Sequence, residues 1–187
     1  MSFENEKYDG IDYTTVGLDK GEYDCCIFNN CNFEGVDLSG IVFSECEFTN
    51  CNISNAKLKN TGLKDVKFIN CKLLGLNFGS CNPFLLELFF DGCDVSFASF
   101  YKLKLKGTKY INCKLSEVDF VEVDLTQALF DNCDFFGAMF ENTILEKANL
   151  STSFNFIIDP ELNKIKQAKF SQHTLSGLLT KYNIIIV

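Results

Sequence analysis

Large apolar residues fall on every fifth position over most of this 187-residue chain. From Tyr8 the beat runs through Tyr13, Leu18, Tyr23, Phe28, Phe33 and Leu38, and it holds to Phe78. It slips by two residues within "SCNPFLLELFFDGC" and resumes from Phe90 to Leu150. Two positions before each large residue sits a smaller one, such as Cys31, Val36, Cys51, Val118 or Ala128. A period of five fits neither a helix nor a long strand, which need 3.6 and 2. It fits a short extended piece with inward residues two apart, followed by a corner. Longer-range identity sets the number of sides. One column reads Phe28, Phe48, Phe68, Phe90, Tyr110, Phe130, and cysteine recurs at Cys31, Cys51, Cys71, Cys93, Cys113 and Cys133. The steps are 20 residues, or 22 across the slip. Twenty residues per turn at five per side makes four sides.

These features imply an all-β solenoid in which each coil buries the core of its neighbour, with coils roughly 4.8 Å apart. Outward Asn and Asp are placed to bond backbone groups at the corners. The slip reads as a two-residue bulge at a corner near residues 79–84, with Leu85 back on the lattice. Residues 1–156 form the coil. Residues 157–187 add a partial coil, a helix with Leu175, Leu178, Leu179 and Tyr182 at helical spacing, and an apolar tail from Ile184 to Val187.

Ten cysteines in a chain that starts "MSFENEKYDG", without a basic-then-apolar leader, point to a reducing, cytoplasmic setting. Eight of the ten occupy the inward small position, where they do the work of Ala or Val. A straight ladder does not converge on a metal, so no metal or cofactor is expected. Cys25 faces outward as the one candidate reactive thiol, and Cys81 sits at the slip. His173 is the only histidine, there is no Arg, and no phosphate loop or nucleophile elbow occurs, so catalysis is not expected.

The repeats "AKLKN", "ALFDN", "AMFEN" and "ANLST", with the variants "CNFEG", "VDLSG" and "CDFFG", resemble the pentapeptide-repeat family. The resemblance covers Tyr8 to about Leu150. It implies a right-handed quadrilateral parallel β-helix, and the Qnr-type quinolone-resistance members imply a C-terminal α-helical cap through which two rods pair. The apolar tail either caps the last coil or dimerises. Four consecutive apolar residues exceed what a cap needs, so a homodimer through Leu175, Leu178, Leu179, Tyr182, Ile184 and Ile186 is expected.

Charge is banded along the chain. Residues 11–55 carry net −7, residues 56–115 net +6, and residues 116–156 net −7. Some members of the family are acidic rods that mimic DNA on type II topoisomerases. By that resemblance Asp119, Glu122, Asp124, Asp131, Asp134 and Glu141 are candidates for contact with DNA gyrase or topoisomerase IV. The Lys-rich centre and the absence of long loops count against it. The alternative is a scaffold that binds another protein through outward apolar residues such as Phe97, Tyr101, Phe136 and Met139. Direct nucleic-acid binding is not expected from a Lys cluster without Arg on a chain of net charge −8. No apolar run is long enough to span a membrane.

Overall fold

The computed structural model describes residues 1–185, so Ile186 and Val187 of the expected apolar tail lie outside the described residues. The chain climbs as a four-sided parallel β-solenoid. Tyr8 pairs with Phe28, Phe28 with Phe48 and Phe48 with Phe68, each step being 20 residues. We number the sides by their inward residues in chain order: side one carries Phe28, side two Phe33, side three Leu38 and side four Phe43. Side one is a seven-stranded sheet from Lys7–Asp9 to Leu129–Asp131, and side four begins as a four-stranded sheet from Ser2–Glu4 to Gly62–Lys64. Sides two and three are held by single bridges, as in Asp12, Asn32, Asn52 and Lys72 stacked in turn. Each side spans about three residues between corners, too few for a longer strand.

The corners explain the polar half of the repeat. Asn30, Asn50 and Asn70 adopt φ of 54°, 54° and 52°, and Gly35 adopts 67°. Asn and Gly reach this left-handed region most readily. The residue just before the large one closes the corner with its side chain. Asp37 Oδ1 accepts from Ser39 N at 2.9 Å, Asn52 Oδ1 from Ser54 N at 3.1 Å, and Asp134 Oδ1 from Phe136 N at 3.1 Å. Each is an Asx turn repeated storey after storey.

Aromatic stacks fill the interior. On side one the ring centroids are 4.7 Å apart for Phe28–Phe48, 5.3 Å for Phe48–Phe68 and 4.9 Å for Tyr110–Phe130. Rings on neighbouring sides meet edge-to-face, as Phe28 and Phe33 do at 73°. Burying each ring contributes about 1.5–3 kcal/mol. The stacks begin earlier than Tyr8, because Phe3 stacks on Tyr23 at 4.5 Å.

The slip begins within residues 79–84 and extends beyond them. Asn82 still bridges Gly62 in the 20-residue register. Val66 then pairs with Leu88, 22 residues on. The extra residues therefore lie between Asn82 and Leu88. Asn82 Oδ1 accepts from Phe84 N at 3.0 Å, so the chain turns where every other coil turns and has two residues to spare. Leu85 does not return to the lattice. It sits at φ 56° with 63% exposure, and Leu86 packs on the core in its place. The stack closes over the bulge, with Phe68 and Phe90 5.5 Å apart.

At the other end, Asn149 bridges Lys169, which continues the coil to the cap. The expected α-helix is instead two 3-10 segments, Gln172–Leu178 and Thr180–Tyr182. Two causes are visible. Gly177 is pressed on Phe156, where a Cβ would collide, and its carbonyl accepts from Ile158 N at 3.0 Å. Thr174 and Thr180 hydroxyls bond the carbonyls of Ser171 and Ser176, competing with helical hydrogen bonding.

Candidate partner-binding surface

The six candidate acids divide between opposite edges of the tower. Asp119 on side three, Asp124 on side four, and Glu122 and Glu141 at the corner between them form one group. Glu122 N donates to Glu141 O at 2.9 Å, so these two corner residues lie on adjacent storeys. Asp131, at the corner of sides one and two, and Asp134, on side two, belong to the opposite edge. Thr152 Oγ1 donates to Asp131 at 2.8 Å, and Asn155 Nδ2 to Asp134 at 2.8 Å.

Most of these carboxylates already have structural partners. Asp119 accepts from Val121 N and Ser99 Oγ, both at 2.9 Å. Glu122 accepts from Tyr101 Oη at 3.2 Å and faces Lys102 Nζ at 3.6 Å. Asp124 accepts from Thr126 N and Oγ1 and pairs with Lys106 at 3.3 Å. Burial works against ionisation of Asp124, but the Thr126 hydrogen bonds and Lys106 outweigh it and hold its carboxyl below the usual range. Lys102 and Lys106 reach up from the basic zone, so they partly neutralise the acidic edge at its lower border.

The outward apolar residues do not make one stripe. Phe136, Phe154 and Ile157 border a depression against the cap, beside His173. Val121, Met139 and Ile157 border a second one. Phe97 lies in neither. Sequence reasoning missed Phe154 and Ile157, because the pattern frays there and their outward placement follows from where the chain leaves the lattice. Of the dimer candidates, Leu178 packs on the core and Leu179 is half-buried, whereas Leu175, Tyr182 and Ile184 are exposed. Tyr182 Oη donates to Glu161 at 2.8 Å, and Lys181 pairs with Asp159 at 2.8 Å, pinning the cap to the last turn.

Two family profiles match, "Pentapeptide repeat region" over residues 21–83 and "Pentapeptide repeats (8 copies)" over residues 113–151. The chain belongs to the pentapeptide-repeat family. Among solved structures, a trypsin-treated variant of QnrB1, a plasmid-mediated fluoroquinolone resistance protein, is 17% identical with a TM-score of 0.63. The match covers 100% of this chain and 99% of that one. HetL, involved in heterocyst differentiation regulation in the cyanobacterium Nostoc sp. strain PCC 7120, is 17% identical with a TM-score of 0.54. It covers 91% of this chain and 83% of its own. No curated protein sequence matches. The solenoid is the right-handed β-helix of this family.

The cysteines of this pentapeptide-repeat protein do more than fill space. Cys51 Sγ donates to Phe28 O at 3.3 Å and accepts from Cys31 N at 3.4 Å. Cys71 repeats this with Phe48 O at 3.2 Å and Cys51 N at 3.4 Å. Ser153 takes the same place above Cys133. The thiol column thus satisfies buried corner groups that Ala or Val would leave unpaired. The signal in the sequence is that Cys, Ser and Thr share this slot. Cys81 is also buried. Burial pushes the Cys46 thiol up to about 12, and Cys81 likewise. The exposed Cys25 also has a raised pKa, through desolvation and then Asp24 and Glu45, so it is not an activated thiolate. Among the described residues no cluster of three metal-ligating side chains occurs, and no helix is long and apolar enough to cross a membrane.

Proposed function

We propose that this pentapeptide-repeat protein is a non-catalytic binding protein that engages DNA gyrase or topoisomerase IV as a DNA mimic and modulates its response to quinolones. The observation that carries the reading is the end-to-end fit to QnrB1, in which the whole of this chain finds a counterpart. The edge formed by Asp119, Glu122, Asp124 and Glu141 supports it as the anionic face, while Asp131 and Asp134 serve the opposite edge. In this reading the exposed Leu175, Tyr182 and Ile184 pair two rods at their C-terminal ends. The test is gyrase supercoiling with titrated protein, with and without a fluoroquinolone. Inhibition or drug protection at micromolar protein, weakened by Glu122→Lys with Glu141→Lys, is the expected result. Neither effect at that concentration overturns it. For the dimer, light scattering after size exclusion should give twice the monomer mass, and Leu175→Asp with Ile184→Asp should give monomers.

A second reading is a scaffold for another protein partner. It is favoured by the exposed Phe136, Met139 and Ile157 around the depressions near the cap, and by the likeness to HetL, a protein of regulatory role. Intact gyrase activity in the assay above would leave this reading standing.

A further inference from the structure

The bulge is the one place where the tower departs from its lattice in mid-rod, and it throws two large apolar side chains outward. Phe84 and Leu85 are 66% and 63% exposed. In the chain they lie between Pro83, which lines one depression, and Glu87, which lines another. One, of about 350 Å³ on side four, is lined by Pro83, Leu86, Lys102, Leu103 and Lys104. The other, of about 180 Å³ at the corner of sides four and one, includes Lys67, Lys106 and Lys109 together with Asp65 and Glu87. Among the described residues Lys67, Lys104 and Lys109 make no ion pair. Folding therefore places apolar anchors in the middle of the basic zone, with unneutralised ammonium groups on both flanks.

We propose that this surface docks an acidic peptide segment carrying apolar side chains, which lie on Phe84, Leu85 and Leu86 while its carboxylates face the lysines. Charge complementarity and reach select this occupant. The basic zone spans only the middle coils, and acidic bands of net −7 lie on either side of it along the chain. A long polyanion running along the rod meets repulsion at both ends, whereas a short acidic segment does not. The flat ammonium-lined depressions also lack the Arg forks that suit bidentate phosphate contacts. This surface is separate from the acidic edge assigned to topoisomerase binding, and its test involves no topoisomerase.

The probe is a fluorescein-labelled peptide of about twelve residues in which Glu alternates with Leu and Phe, a length that spans a short surface groove. Anisotropy titrations compare it with an all-Glu peptide, an otherwise identical peptide with Lys in place of Glu, and oligo(dT). The variants are Phe84→Ser with Leu85→Asn, Lys104→Glu, and Lys147→Glu as an equal charge change outside the surface. All alter exposed side chains, and thermal melts verify folding. The expected result is saturable binding of the Glu/Leu/Phe peptide that weakens about tenfold or more in the first two variants, a difference near 1.4 kcal/mol, and is unchanged in Lys147→Glu. Equal binding by all variants overturns the proposal, as does no saturable binding at about 1 mM, a very weak affinity. Tighter binding of oligo(dT), lost in the same variants, overturns it in favour of nucleic acid. Salt-sensitive self-association without peptide binding overturns it in favour of a second copy of the chain.

Discussion

Tyr110 shows how finely single side chains are set in this core. It occupies the side-one stack among Phe90 and Phe130, is completely buried, and its hydroxyl has no hydrogen-bond partner. A buried unsatisfied hydroxyl costs about 1–3 kcal/mol. Tyr110→Phe is therefore expected to stabilise the protein by about 1 kcal/mol, raising the urea midpoint with an unchanged slope. Phe68, two storeys below, is 3% exposed and stacks on Phe48 and Phe90. Phe68→Ala should cost about 3–5 kcal/mol, whereas Glu122→Ala, at a corner, should stay within about 0.5 kcal/mol. Comparable losses in urea unfolding would contradict the division into inward and outward positions. The inward positions were legible in the sequence because one residue in five has to carry the whole core. The unpaired hydroxyl was not, since Tyr and Phe serve equally well in a pattern of apolar beats.

Among the local elements, the bulge is the informative one. Its existence was legible as a change of step from 20 to 22 residues. Its position was not, because several placements between Gly79 and Leu88 preserve both flanking columns. The Asx turn at Asn82 decided the matter by closing the corner at its usual place and leaving Phe84 and Leu85 outside. A deletion tests this. Removing Pro83 and Phe84 restores the five-residue spacing and brings Leu85 to the inward position. Burial of one Leu is worth about 1.5–3 kcal/mol, so the shortened protein should fold and melt at a higher temperature. A lower melting temperature in calorimetry would show that the bulge is integral to the coil. The cap was legible as a helix-like spacing, but its 3-10 form follows from a contact 21 residues away, between Gly177 and Phe156.

Over the whole molecule, corner carboxylates tie stability to pH. Asp12 is held below its usual range by Thr14, and Asp37 by Ser39. Asp124 is lowered against the cost of its burial by Thr126 and Lys106. For each, the folded form binds the proton less readily than the unfolded chain. Their contribution is fully present above the unfolded value of about 3.9 and is lost as pH falls from there through the lowered values of the folded protein. The melting temperature is therefore expected to be steady near neutrality and to drop as pH falls below about 4. Asp124→Asn keeps an acceptor for Thr126 N but loses the charge facing Lys106, so its stability should depend less on pH in that range. A parallel decline in the variant would remove Asp124 from the account.

The sequence by itself determined the four-sided coil, its storey height in residues, and which side chains point inward. A period of five leaves the backbone only one way to bury its apolar residues, and the same demand is repeated at every storey. Only the tertiary structure decided which outward residues are neighbours. Charge counted along the chain put six acids in one band, but winding sends Asp131 and Asp134 to the opposite edge from Glu122 and Glu141. It also brings Lys102 and Lys106 against acids some 20 residues later. Inward positions are specified by burial, which acts at every coil. Surface groupings depend on the angle each corner imposes and on where one coil is two residues too long, and these emerge only when the chain is wound.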